Sequence, residues 1–176
     1  SASARERIRS TCRPAWSSRR RDRSGIEKRR RWRLDNVVPV TQMTIHTTAL
    51  PLVDAEASLT FWRDAIGFEV RSEVGQGDMR WITVGPEGKP DTCILLQPPF
   101  ADPGLSDTER ETISDLMAKG SFGWILLASD DVDADFARIQ AHPLAEVIQE
   151  PADQPYGVRD CAFRDPAGNT VRLRQV

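Results

Sequence analysis

The side chains able to do chemistry are few and scattered. Past residue 43 the chain holds two histidines, His46 in TIHTTALP and His142 in AHP. The three cysteines, Cys12, Cys93 and Cys161, stand far apart without metal-type spacing. An odd count cannot close into a complete disulfide set, so they read as reduced thiols of a cytoplasmic protein. The richest segment is the last, PYGVRDCAFRDPAGNTVRLRQV, where Tyr156, Asp160 and Cys161 could serve as acid or base. Neither the phenol nor the thiol has a visible histidine partner to activate it. Arg172 sits in the alternating run TVRLRQ, which places Thr170, Arg172 and Arg174 on one strand face and Val171 and Leu173 on the other. A guanidinium stays protonated and presents donors in a planar fork, which suits it to anchor a carboxylate or another anion. A salt bridge to an acidic neighbour, or plain exposure, would account for it equally well.

These groups need a scaffold, and the pattern supplies one twice. Residues 44–52 read as a strand closed by Pro51, and Asp54 stands where an N-cap belongs. A helix over 55–66 follows, with Leu59, Phe61 or Trp62, and Ile66 on one apolar face and Gly67 as its stop. Strands are expected at 68–74, 80–84 and 92–97, separated by GQGD and GPEGKPD turns. The second half repeats this order: a strand within 121–129, a cap at Asp130 or Asp131, a helix carrying Val132, Phe136 and Ile139, and Pro143 ending it. Strands at 145–149, 158–164 and 170–175 complete it, with DPAG as the last tight turn. The internal duplication is the organising feature, two βαβββ modules at about 44–97 and 121–176. Between them, the connector 98–120 contains Ser106 and Glu109 at capping-box spacing, which starts a helix running to about Lys119 and stopping at Gly120.

Composition sets bounds on the rest. With 176 residues, 39% hydrophobic and 28% charged, the chain has ordinary globular usage, and no apolar run approaches the ~20 residues of a membrane span. The net charge of −2 hides a split: residues 1–42 hold 13 basic against 4 acidic side chains. That arm has no apolar period, and self-repulsion predicts disorder. Nucleic-acid binding lacks a fold to position it, and a secretory signal lacks its apolar region. Foldable patterning begins right after Met43, so Met43 reads as the natural start of a domain covering 43–176.

The paired βαβββ order, LPLVDAEASLTFWRDAIGFEV and the closing YGVRDCAFRDPAGN resemble the vicinal oxygen chelate superfamily, the glyoxalase, bleomycin-resistance and extradiol-dioxygenase group. The resemblance covers 44–176. It implies an α+β fold in which two βαβββ modules form an incomplete curved barrel around a cavity. It says little of the reaction, because that group hosts isomerases, lyases, dioxygenases and drug-sequestering proteins. In its metalloenzymes, His and Glu or Gln side chains on the first strand of each module and on later strands hold a divalent ion that chelates vicinal substrate oxygens. Carried onto this sequence, those positions fall on Thr47, on Phe122 or Trp124, and on Arg172. A one-residue register shift would bring His46 into the first. A guanidinium has no lone pair to give a metal.

The expectation is therefore a metal-independent protein that binds a small anionic or aromatic molecule, without a cofactor, as a homodimer. Thr47, Trp81, Phe122, Trp124, Tyr156 and Arg172 are its expected ligand-binding residues. The alternative is a metal-dependent enzyme, a lyase, isomerase or dioxygenase, with one divalent ion and His46 among its ligands.

Overall fold

The computed structural model describes residues 44–176, so the expectations for the basic arm lie outside the described residues. The element order is β1 (Thr47–Pro51), α1 (Ala55–Thr60) continued by a π-helical turn (Phe61–Ala65), β2 (Glu69–Gln76), β3 (Met79–Gly85), β4 (Cys93–Gln97), α2 (Asp107–Ala118), β5 (Trp124–Ser129), α3 (Val132–Gln140), β6 (Glu146–Asp153), β7 (Arg159–Arg164) and β8 (Thr170–Gln175). Two four-stranded sheets result, ordered β1-β4-β3-β2 and β5-β8-β7-β6. In each, the first strand of the module lies parallel to the last and the other pairs are antiparallel. The repeat read from the sequence is thus a repeat in space.

Local chemistry explains the boundaries. The Asp54 carboxylate accepts from the amides of Glu56 and Ala57 and starts α1, and Asp131 does the same for α3 through Ala134. At α2 both halves of the capping box form: Ser106 Oγ accepts from the Glu109 amide, and Glu109 accepts from the Ser106 amide at 2.8 Å. The first helix departs from the expected regular α-helix. Ile66 N–H reaches back five residues to the Phe61 carbonyl at 3.0 Å. That wider turn lets the consecutive Phe61 and Trp62 both be fully buried, where a regular helix would favour one of them. β1 is shorter than expected, and β6 runs on to Asp153 through irregular pairing with β7 near Gln149.

Helices cover one face of each sheet. Leu59, Phe61, Trp62 and Ile66 from the first module and Val132, Phe136 and Ile139 from the second join Ile82, Val84, Ile94, Leu96, Phe163, Val171 and Leu173 in a single core. Each large side chain buried there contributes about 1.5–3 kcal/mol. Polar bonds fasten the modules end to end. The Arg138 guanidinium donates to the Ala65 carbonyl, Asn169 Nδ2 donates to the Pro51 carbonyl at 2.9 Å, and Trp62 Nε1 donates to Asp165 at 3.3 Å. Gly123 is required at this junction, since a Cβ would lie 2.0 Å from Asn169 Oδ1. No ladder joins the two sheets. Their other faces stay open, with Val74 at 65% and Trp124 at 71% exposure.

Candidate functional site

The open face of the second sheet carries the densest polar network. β8 alternates as expected: Val171 and Leu173 enter the core, and Arg172 and Arg174 face outward. Antiparallel pairing sets Asp160 of β7 opposite Arg174, and Ala162 opposite Arg172. Asp160 therefore shares their face, and Arg172 Nη1 donates to it at 2.9 Å. Three further donors converge on the same carboxylate: Gln149 Nε2 and Gln154 Nε2 at 2.8 Å each, and the Tyr156 hydroxyl at 3.0 Å. Arg172 also reaches Gln149 Oε1 at 3.3 Å.

The electrostatics follow from this shell. Burial pushes the Asp160 carboxyl up, but the bonds from Arg172, Gln149, Gln154 and Tyr156 together outweigh it and hold the group below the ordinary carboxylate range. Lost hydration and then the bond to Asp160 raise the Tyr156 phenol, which keeps it a donor. A hollow of about 260 Å³ opens here, lined by Leu126, Tyr156, Val158, Asp160, Arg172 and Arg174. With two guanidiniums against one carboxylate, it carries a surplus positive charge. Arg172 is about one-third exposed, so its guanidinium keeps an accessible edge.

The expected site residues divide between the two sheets. Trp124 pairs with Thr170 on β8, two residues along the face from Leu126 and Arg172. Tyr156 joins Arg172 through Asp160. Phe122 precedes β5 and is half-exposed outside the ladder, so the strand position in question belongs to Trp124. Thr47 and Trp81 lie on the other sheet, in β1 and β3, and among the described residues no strand pairing joins that sheet to the one holding Arg172. His46 precedes the β1 ladder, and its Nδ1 faces the Asp91 carbonyl at 3.1 Å, an arrangement that makes it a donor. His142 is structural: its Nδ1 accepts from the Leu144 amide. Cys161 is buried in the core, and burial pushes its thiol up to about 11, which removes it as an acid or base near neutrality.

Registers of the two modules correspond, with Thr47 opposite Cys93 and Trp124 opposite Thr170. By that correspondence Leu95 of β4 occupies the place of Arg172. The closing strands thus offer a leucine and a guanidinium, and the opening strands a threonine and an indole. Among the described residues, no three of His, Cys, Asp and Glu converge on one point. The one carboxylate nearby, Asp160, already accepts from four donors. This donor set does not fit a divalent ion.

Comparison with known proteins decides the family. The profile described as the Glyoxalase/Bleomycin resistance protein/Dioxygenase superfamily matches residues 44–173. The chain belongs to that superfamily. Among solved structures of this superfamily fold, UcmS2 is 27% identical over 77% of this chain and 100% of its own, with a TM-score of 0.66. TnmS3, an antibiotic binding protein from Streptomyces sp. CB03234, is 29% identical over 77% of this chain and 98% of its own, with a TM-score of 0.58. A lactoylglutathione lyase from Agrobacterium tumefaciens shares the fold at 22% identity, 77% and 95% coverage and a TM-score of 0.56. Proteins of this fold thus include an antibiotic binding protein and a lyase, and the choice between such roles rests on the residues of this chain.

A larger hollow is lined by none of the expected binding residues. A cavity of about 990 Å³ lies where the connector meets both modules, bounded by α2, the β2–β3 turn at Asp78 and the β7–β8 turn at Pro166. Its walls come from segments far apart in the chain, so no local signal could have disclosed it. Asp165 stands in the wall and accepts from the amides of Ala167 and Asn169 and from Asn169 Nδ2. Burial, outweighing those bonds, raises its carboxyl above the ordinary range.

Proposed function

We propose that this superfamily member is a metal-independent binding protein for a small planar or anionic molecule, held on the open face of the second sheet. The observation that carries this reading is the Arg172–Asp160 pair, which sets a fixed cation where a metalloenzyme of the group would need a carboxylate. Asp160 is 3% exposed and hydrogen-bonded by four groups, so it orients Arg172 and is not free to ligate. The accessible edge of Arg172, together with Arg174, forms the anion contact. Trp124 and Tyr156, at 71% and 67% exposure, supply aromatic surface beside it. The likeness to an antibiotic binding protein supports a binding role over catalysis.

The groove is completed by a second copy of the chain. Val74, Met79, Trp124 and Leu126 form apolar surface on sheet faces that the described residues leave bare, and such surface is a liability in a monomer. A homodimer setting the first sheet of one protomer over the second sheet of its partner would bring Thr47 and Trp81 across from Arg172.

The test is a thermal-shift screen of small aromatic acids and neutral aromatics, run in chelator. A ligand that binds the folded state alone raises the melting temperature with the logarithm of its concentration. Hits whose affinity falls about tenfold, or 1.4 kcal/mol, in Arg172→Ala support the reading. Hits that appear only after a divalent ion is added would favour the enzyme reading instead.

A further inference from the structure

The connector helix α2 has an unusual relation to the protein beneath it. A surface helix normally buries one apolar stripe against a packed core. Met117 is the one buried residue of α2. Arg110, Ser114, Met117 and Ala118, spaced i, i+4, i+7 and i+8, form its inward stripe, and all four line the cavity of about 990 Å³. The helix thus roofs a space, where close packing is the rule for interiors. Both ends of the roof are pinned. The capping box and the Arg110 bonds to the carbonyls of Phe100, Asp102 and Leu105 fix the start. At the other end Gly168 packs so closely that a Cβ there would lie 2.2 Å from the Met117 carbonyl.

The apolar part of the lining comes from Met79, Pro98, Phe100, Leu144 and Pro166, and the charged part beyond α2 from Asp78, Glu146, Arg164 and Asp165. Its volume is that of sites for drug-sized molecules. The polar part of the stripe is concentrated at Arg110, whose guanidinium lies 5.6 Å from the Phe100 ring centroid. Its contacts among the described residues are backbone carbonyls at 3.3–3.4 Å, long bonds that leave its charge without a carboxylate.

We propose that the cavity beneath α2 is a second small-molecule site, taking a hydrophobic aromatic molecule that bears one anionic group, with the anion toward Arg110. It is built within one chain and shares no lining residue with the hollow at Arg172, so either can fail without the other.

The experiment titrates the full chain with 1-anilinonaphthalene-8-sulfonate, an aromatic anion whose fluorescence rises on binding. Ser114→Trp, at an exposed position of the inward stripe, fills the cavity. Asp115→Trp puts the same ring on the same helix outside the cavity lining. The expected result is one saturable site per chain, weakened at least about tenfold by Ser114→Trp and changed less than about twofold by Asp115→Trp. Should Ser114→Trp fail to fold, Ala118→Phe, one turn on and also exposed, blocks the same space. No saturable site, or one that the blocking substitutions leave intact, overturns the proposal, as does binding abolished by Trp124→Ala alone.

Discussion

Arg172 of β8 reaches diagonally to Asp160 of the neighbouring β7 at 2.9 Å, with the carboxylate buried and the guanidinium one-third exposed. The pair therefore does two things. Its inner half satisfies a buried charge, and its outer half leaves a cation at the surface of the groove.

Removing the cation strands the carboxylate. Arg172→Ala is expected to destabilise the folded chain by about 1–3 kcal/mol, below the usual cost of breaking a fully buried pair because solvent reaches the guanidinium. Arg172→Lys should recover part of this. Urea denaturation at pH 7 measures both.

The pH dependence has a definite sign. The folded Asp160 carboxyl titrates below its ordinary value, so its stabilisation is present above the unfolded carboxylate pKa and is lost as pH falls through the depressed folded value. The melting-temperature gap between the wild-type chain and Arg172→Ala should be widest near neutrality and should close in acid. Asp165 acts in the opposite sense. Its raised folded value means that its contribution is full below the unfolded pKa and declines as pH rises through the folded one.

The module junction depends on Asp165. Asp165→Ala leaves Trp62 Nε1 and the amides of Ala167 and Asn169 without their acceptor, and takes from Asn169 Nδ2 one of its two, the other being the Pro51 carbonyl. A loss of about 2–4 kcal/mol is expected from several buried donors left unpaired. Thermal unfolding followed by near-UV circular dichroism, which senses Trp62, reads it out.

Association should track the bare sheet faces. Sedimentation at tens of micromolar is expected to give a dimer, and Trp124→Glu, which places a charge on that face, should shift it toward monomer. A wild-type chain that sediments only as monomer removes the shared groove.

Much of this architecture could be read from local signals. The caps at Asp54, Ser106 and Asp131, the repeated helix faces and the alternation of β8 each depend on residues within a few positions of one another. The partner of Arg172 could not be read in that way. Asp160 lies 12 residues away on another strand, and facing it correctly needs the register of β7 against β8, which no turn length alone supplies. The Trp62–Asp165 bond spans 103 residues, and the cavity under α2 gathers walls from both modules. Both are products of how the repeats dock. Burial of Phe61 together with Trp62 was also hidden, since it depends on a widened turn that a 3.6-residue period does not describe.

The central claim is that binding at the Arg172 groove needs no metal. The most direct measurement is the divalent-metal content of the chain, purified without chelator and without a histidine tag, alongside calorimetric titration of a screening hit before and after chelator treatment. The expected result is no stoichiometric metal and an affinity that chelator leaves unchanged. One tightly bound divalent ion per chain, abolished by His46→Ala and needed for the hit to bind, would contradict it.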